Sequence, residues 1–222
     1  MSSCDMTTLT SVGRWEGDAS GRLRAAAMQL YVERGFEETT VAEIAGRAGL
    51  TARTFFRHFA DKREVLFAGS SHLQDALVAA LAAAPETATP MEAVATALDV
   101  AADLLGQNRE QTRQRQAVIN SHAELREREL IKLASLADAL ADGLRRRGVP
   151  DPDARLAAES GMVVLRVAFE RWTQPVETET HDKDGEKTLA GMMRDALERL
   201  AGVTARAPLT PRPQGSRSAP TA

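Results

Sequence analysis

The chain has a single cysteine, Cys4, so no disulfide framework and no cysteine-based metal site can form within it. Phenylalanine, tyrosine and tryptophan together make up 4% of its 222 residues. The only histidines are His58, His72, His122 and His181. No His/Glu metal spacing, glycine-rich phosphate loop or G-x-S-x-G run occurs, so the usual sequence signatures of an enzyme are missing. The N-terminus has no basic stretch followed by an apolar one, and no uninterrupted apolar run nears the roughly 20 residues that span a bilayer. The expectation is a cytoplasmic chain that is not an enzyme, uses no cofactor or metal, and has no membrane partner. An excess of either charge is also lacking. With 28 Lys+Arg against 31 Asp+Glu the net charge is −3, so a polyanion would have to be held by a local basic face rather than by the field of the whole protein.

What is abundant is alanine, leucine and arginine, which together with the scarcity of β-branched runs favours helices throughout. The expected fold class is all-α. The most informative stretch is Thr40–Lys62. Thr40 and Glu43 have the spacing of a capping box, and Val41, Ile44, Ala45 and Ala48 give one apolar face. Gly49 is suited to a left-handed helix end. Thr51 caps a second helix, about Ala52–Phe59, in which Phe55 and Phe59 read as core. Asp61 and Glu64 form another capping pair. Upstream, Leu23, Ala26, Ala27, Leu30 and Tyr31 share one face of a helix over Ser20–Arg34, closed by Gly35-Phe36. Two short helices joined by a tight turn and braced by a third form a helix-turn-helix, which presents its second helix to a DNA major groove.

The runs Ala27–Phe36, Thr39–Leu50 and Thr51–Lys62, with Leu66, closely resemble the TetR family of bacterial one-component repressors. The resemblance covers the first quarter to third of the chain. It implies a DNA-binding transcriptional regulator, most simply a ligand-responsive repressor that binds a two-fold operator as a homodimer. On the second helix, Arg53 lies where side chains reach base edges and can bond guanine O6 and N7. Thr54 suits either a phosphate or a thymine methyl, and His58, one turn on, suits a phosphate. Arg57 either faces phosphate or packs on the following helix. Lys62 matches the family's phosphate-binding lysine, and Thr40 can offer its hydroxyl and N–H to a phosphate. Phe56 departs from the tyrosine common in the family. The usual hydroxyl-to-phosphate bond is missing there, which leaves the ring to press on sugar or a thymine methyl.

The expected organisation is an N-terminal tail over residues 1–18, a DNA-binding domain over 19–66, a helical effector-binding and dimerisation domain over 67–202, and a basic tail over 203–222. Lys62–Ala83 reads as one long helix that would carry motion between the domains. Thr89-Pro90-x-Glu92 starts a helix ending at Gly106. Asn108–Arg147 breaks near Ser121-His122. A helix from Asp151 to about Trp172 is apolar around most of its circumference, and a last helix spans Gly185–Ala201 after an acidic loop. The resemblance implies that the helices near 152–172 and 185–201 form the dimer interface, with Ala157 and Gly161 allowing close approach. Arg166, read as buried, and Glu159 join Arg113, Gln116, Asn120 and His122 as candidate lining of a site for a small-molecule effector. The segment from Arg113 to Leu130 is similar to family members that take acyl-CoA-like ligands. The opposing reading of these residues is a solvated charged face. The opposing reading of the whole is a helical interaction scaffold whose helix-turn-helix is only structural.

Overall fold

The computed structural model describes residues 11–174 and 188–205, with side chains from Ala19 onward. Every regular element among them is helical. The order is α1 Ser11–Arg34, α2 Val41–Arg47, α3 Ala52–His58, a 3-10 turn Glu64–Phe67, α4 Ser70–Ala83, α5 Pro90–Leu105, α6 Arg109–Asn120, α7 Ala123–Arg146, α8 Asp151–Thr173 and α9 Leu189–Ala205.

The helix ends follow local chemistry. Thr40 and Glu43 make the full capping box on α2, and Thr89 and Glu92 do the same on α5, where Pro90 opens the helix. Asn108 accepts from the Gln111 N–H at the start of α6. At the end of α2, Gly49 takes φ +65° while its N–H donates to the Gly46 carbonyl and the Leu50 N–H to the Ala45 carbonyl. These paired bonds satisfy two carbonyls that a helix end would otherwise leave bare.

Three expected boundaries move. Helix α1 starts at Ser11 rather than Ser20, because no proline interrupts the run to Arg34 and the intervening glycines weaken a helix without stopping it. Helix α9 covers Leu189–Ala205, so it extends past residue 203, and the expected start at Gly185 and most of the acidic loop lie outside the described residues. The same holds for residues 1–10 of the N-terminal tail and 206–222 of the basic tail. The single helix expected over Lys62–Ala83 is instead a turn, a 3-10 segment and α4, divided at Gly69 with φ +94°. Glu64–Ala83 has the length and apolar composition of a membrane span, but this break divides it, and Leu77 and Leu81 are fully buried in the protein core.

Two apolar cores result. One gathers Leu23, Leu30, Phe36, Ile44 and Phe55 from α1–α3, the 3-10 turn, and also Ile119 of α6 and Leu125 of α7. The other is formed by α4, α5, the second half of α7, α8 and α9. It is built largely from alanines, so the helices approach closely. At Gly161 of α8 even a methyl would overlap Val94 Cγ1 of α5. Gly161 and Ala157, expected at a dimer seam, are therefore spent on packing within the chain.

Candidate nucleic-acid interface

Helix α3 is short and is held from beneath. Thr51 accepts a hydrogen bond from the Thr54 N–H at 3.2 Å, which fixes its first turn. Phe55 is fully buried and Phe59 nearly so, their ring centroids 5.5 Å apart, so one side of the helix is anchored in the core. The opposite side stays open. Arg53, Thr54, Phe56 and Arg57 line a single cleft of about 570 Å³ on this face. Arg53 makes no hydrogen bond or ion pair among the described residues, and Phe56 is 59% exposed. The Phe56 ring stands edge to face on Phe55 at 5.5 Å and 83°, which holds it outward.

The other expected contacts are placed differently. His58 is half-buried, and its Nε2 is buried with no hydrogen-bond partner, so that nitrogen does not face a phosphate. The Lys62 ammonium donates to the carbonyls of Phe36, Glu37 and Thr39 at 2.8, 3.0 and 3.1 Å and sits 4.5 Å over the Phe36 ring. An ammonium has three N–H donors and all three are used. Lys62 therefore closes the α1–α2 loop instead of standing free for a phosphate. Tyr31 adds to the same closure by donating to the Lys62 carbonyl at 2.6 Å, and burial pushes its phenol well above the ordinary value, with Asp61 adding to the shift. Thr40 is exposed, but its N–H and hydroxyl both bond Glu43 Oε2, at 2.9 and 2.8 Å. The Thr40 N–H, then its hydroxyl, hold the Glu43 carboxyl below the usual glutamate range.

The six residues expected to line an effector site do not converge. Arg113 pairs with Glu110 at 3.0 Å on the outside of α6. Gln116 donates to Asn120 at 3.2 Å and to Glu129 at 2.9 Å. His122 lies between α6 and α7, its ring 5.0 Å from Phe36 and its Nδ1 3.0 Å from the Val118 carbonyl. Glu159 and Arg166 are exposed on α8, and among the described residues Arg166 pairs with Glu170 alone, at 3.6 Å. The expectation of a buried Arg166 is thus corrected. Positions 159, 163, 166 and 170 share the helix face turned away from α5, where Leu156, Val163 and Val167 are exposed with them.

Sequence reading missed the arginines that tie the 3-10 turn and the end of α8 to α6 and α7. Arg115 of α6 donates to the Leu66 carbonyl at 2.6 Å, lies 5.4 Å over the Phe67 ring and stands 3.6 Å from Glu129. Burial pushes its guanidinium below the ordinary value, against the pull of Glu129. Glu64 of the 3-10 turn is paired with Arg128 and, at 3.9 Å, with Lys132 of α7, and Arg63 reaches Glu124 at 3.4 Å. At the far end of α6, Arg109 donates to the Trp172 carbonyl at 2.8 Å. The available signal was spacing: Arg115 precedes Ile119 by four residues and so shares its packed face.

Residues 23–68 match the family model described as bacterial regulatory proteins, tetR family. The segment that matches contains α2 and α3 and every residue expected to contact DNA. The TetR-family match lies in this N-terminal segment. Over 71 residues the chain is 41% identical to the HTH-type transcriptional regulator TcmR of Streptomyces glaucescens, which is 32% of this chain and 31% of TcmR. The chain spans about a third of the length of the curated relatives it matches. Across most of its length it shares the fold of SmeT, the repressor of the Stenotrophomonas maltophilia multidrug efflux pump SmeDEF. The TM-score is 0.54 at 20% identity, covering 84% of this chain and 91% of SmeT. It is similar also to the TetR-family repressor FadR of Thermus thermophilus, solved in complex with lauroyl-CoA. There the TM-score is 0.51 at 24% identity, covering 88% of this chain and all of the other. At these identities the likeness is one of fold.

Proposed function

We propose that this protein is a DNA-binding transcriptional regulator that acts as a repressor, places α3 in the major groove, and reads a two-fold operator as a homodimer. The observation that carries the reading is the open face of α3, where Arg53 and Arg57 flank Thr54 and Phe56 over an anchored aromatic base. Two cations on a net-negative chain supply the local attraction a phosphate backbone needs, and Arg53 has the reach and geometry for guanine. The second partner is another copy of the chain. The outward face of α8, with Leu156 at 68%, Val163 at 44% and Val167 at 40% exposure, is the surface that supports this pairing, together with α9. A dimer sets two recognition helices one DNA turn apart, and occupation of such a site excludes other proteins from it.

A small-molecule effector is the proposed input, and α6 is its proposed transmitter. Its first turn is tied to the end of α8 through Arg109 and Trp172, its last turn is embedded in the DNA-binding core through Ile119, and Arg115 holds the 3-10 turn between them. Only a ligand that binds two dimer shapes unequally can shift them. A long-chain acyl thioester is the first effector to titrate, on the resemblance of the Arg113–Leu130 segment.

The test is a binding titration of purified protein against a randomised duplex pool. Enrichment of duplexes with two related half-sites, and affinity that falls steeply with salt, supports the reading. The scaffold alternative predicts no enrichment at low salt.

A further inference from the structure

Among the residues whose side chains are described, Phe56 is the one phenylalanine, tyrosine or tryptophan left exposed, and it lines the cleft that would meet DNA. It cannot fold inward, because the space beneath it is filled by the fully buried Phe55 ring that it meets edge-on. It has no hydroxyl to give a phosphate. Thr54 lines the same cleft, its hydroxyl 3.0 Å from that of Thr51 within the cap of α3, and it carries a methyl group as well. The face therefore carries two apolar groups between two guanidinium groups.

A major groove offers few matches for such a face. Phosphates and the edges of adenine, guanine and cytosine present hydrogen-bonding groups there, and the thymine C5-methyl is the apolar feature. We propose that this protein reads its half-site partly through thymine methyl groups, with the Phe56 ring and the Thr54 methyl as the reading surface and Arg53 on a neighbouring guanine. The proposal rests on the reading of α3 as the groove-entering helix and goes beyond it by naming the group recognised. Its consequence is a half-site in which a guanine lies within a base pair or two of thymine, and a preference that hydrogen-bond patterns alone do not explain.

Replacing dT by dU removes that methyl and leaves every hydrogen-bonding group of the base pair in place. The experiment takes a duplex enriched from a random pool by the full-length protein and substitutes dU at each thymine pair in turn, symmetrically in both half-sites. Removing one contacted methyl is expected to weaken binding about fourfold per half-site, the effect of about one buried CH₂ group. In Phe56→Ala the penalty at one thymine position disappears while that at the other persists. In Phe56→Leu, which keeps an apolar group there, the penalty is retained. Phe56 is exposed, so thermal melting of these variants is expected to match the parent, and the retained dU penalty of Phe56→Leu checks the reading independently of fold. If dU is tolerated at every position of an enriched duplex, or if the penalties are the same in the parent and in Phe56→Ala, the methyl readout is overturned while DNA binding stands. If no duplex is enriched at all, the DNA-binding reading falls and the inference falls with it.

Discussion

Arg53 carries the greatest weight of any single residue in this account. It is exposed, makes no bond among the described residues, and lies in the first turn of α3. Arg53→Ala is expected to weaken binding to an enriched duplex by about 1–3 kcal/mol and to relax the preference at one base pair, read by competition with single-base variants. Gly161 makes the opposite kind of prediction, because it concerns stability alone. Gly161→Ala drives a methyl into Val94 Cγ1 and should destabilise the chain by about 1–3 kcal/mol in urea unfolding, with part of the loss recovered when Val94→Ala is added. Roles set by immediate neighbours were legible in the sequence, as with Thr40, Gly49 and Thr51, because a cap is completed within three or four residues. Lys62, His58 and Arg166 were not. Whether a cation or an imidazole points to water or to a carbonyl from another element depends on packing that no local pattern encodes. For Lys62 the three carbonyls lie 23 to 26 residues away in the chain.

At the scale of elements, caps and breaks decide where the chain can bend. The capping box of α5 carries a pH signature. The Thr89 N–H, then its hydroxyl, hold the Glu92 carboxyl below the usual glutamate range. A depressed folded-state value means that its ionised form contributes stability above the unfolded value, and that this contribution is lost as pH falls through the lower folded value. The stability advantage of the parent over Glu92→Gln, measured by thermal melting, should therefore be present at neutral pH and vanish in acid well below the ordinary glutamate range. The break at Gly69 was hidden in the sequence because the residues on both sides are helix-compatible and one glycine lowers helix propensity without forbidding a helix. Its positive φ is a conformation that glycine takes at little steric cost. Helix α4 begins only after this break, and Arg115 of α6 ties the 3-10 turn before it to α6. Arg115→Met keeps the packed stem but loses the donation to the Leu66 carbonyl. It is expected to leave DNA affinity without effector close to the parent's and to blunt any change in affinity that an effector produces.

At the scale of the whole molecule, the all-α architecture and the order of its helices were legible from periodicity, caps and breakers alone. The division of labour between faces was less so. Helix α8 looked apolar on nearly every side, and the structure separates that surface into an inner face packed on α5 and an outer one holding Leu156, Val163 and Val167. Placing a charge at the centre of the outer face, as in Val163→Arg, should give a folded monomer in sedimentation and a loss of operator affinity far larger than any change in a single half-site contact. The effector residues chosen from sequence failed to converge for the same reason: helical spacing shows which residues share a face, not which faces meet.

The central claim is that the open face of α3 reads duplex DNA. Fluorescence anisotropy of an enriched duplex, titrated with the parent and with Arg53→Ala over a range of salt, tests it most directly. Saturable binding is expected, with log affinity falling linearly with log salt and a loss of about ten- to a hundredfold in Arg53→Ala at unchanged melting temperature. Equal binding by parent and variant, or no duplex bound at low salt, would contradict it.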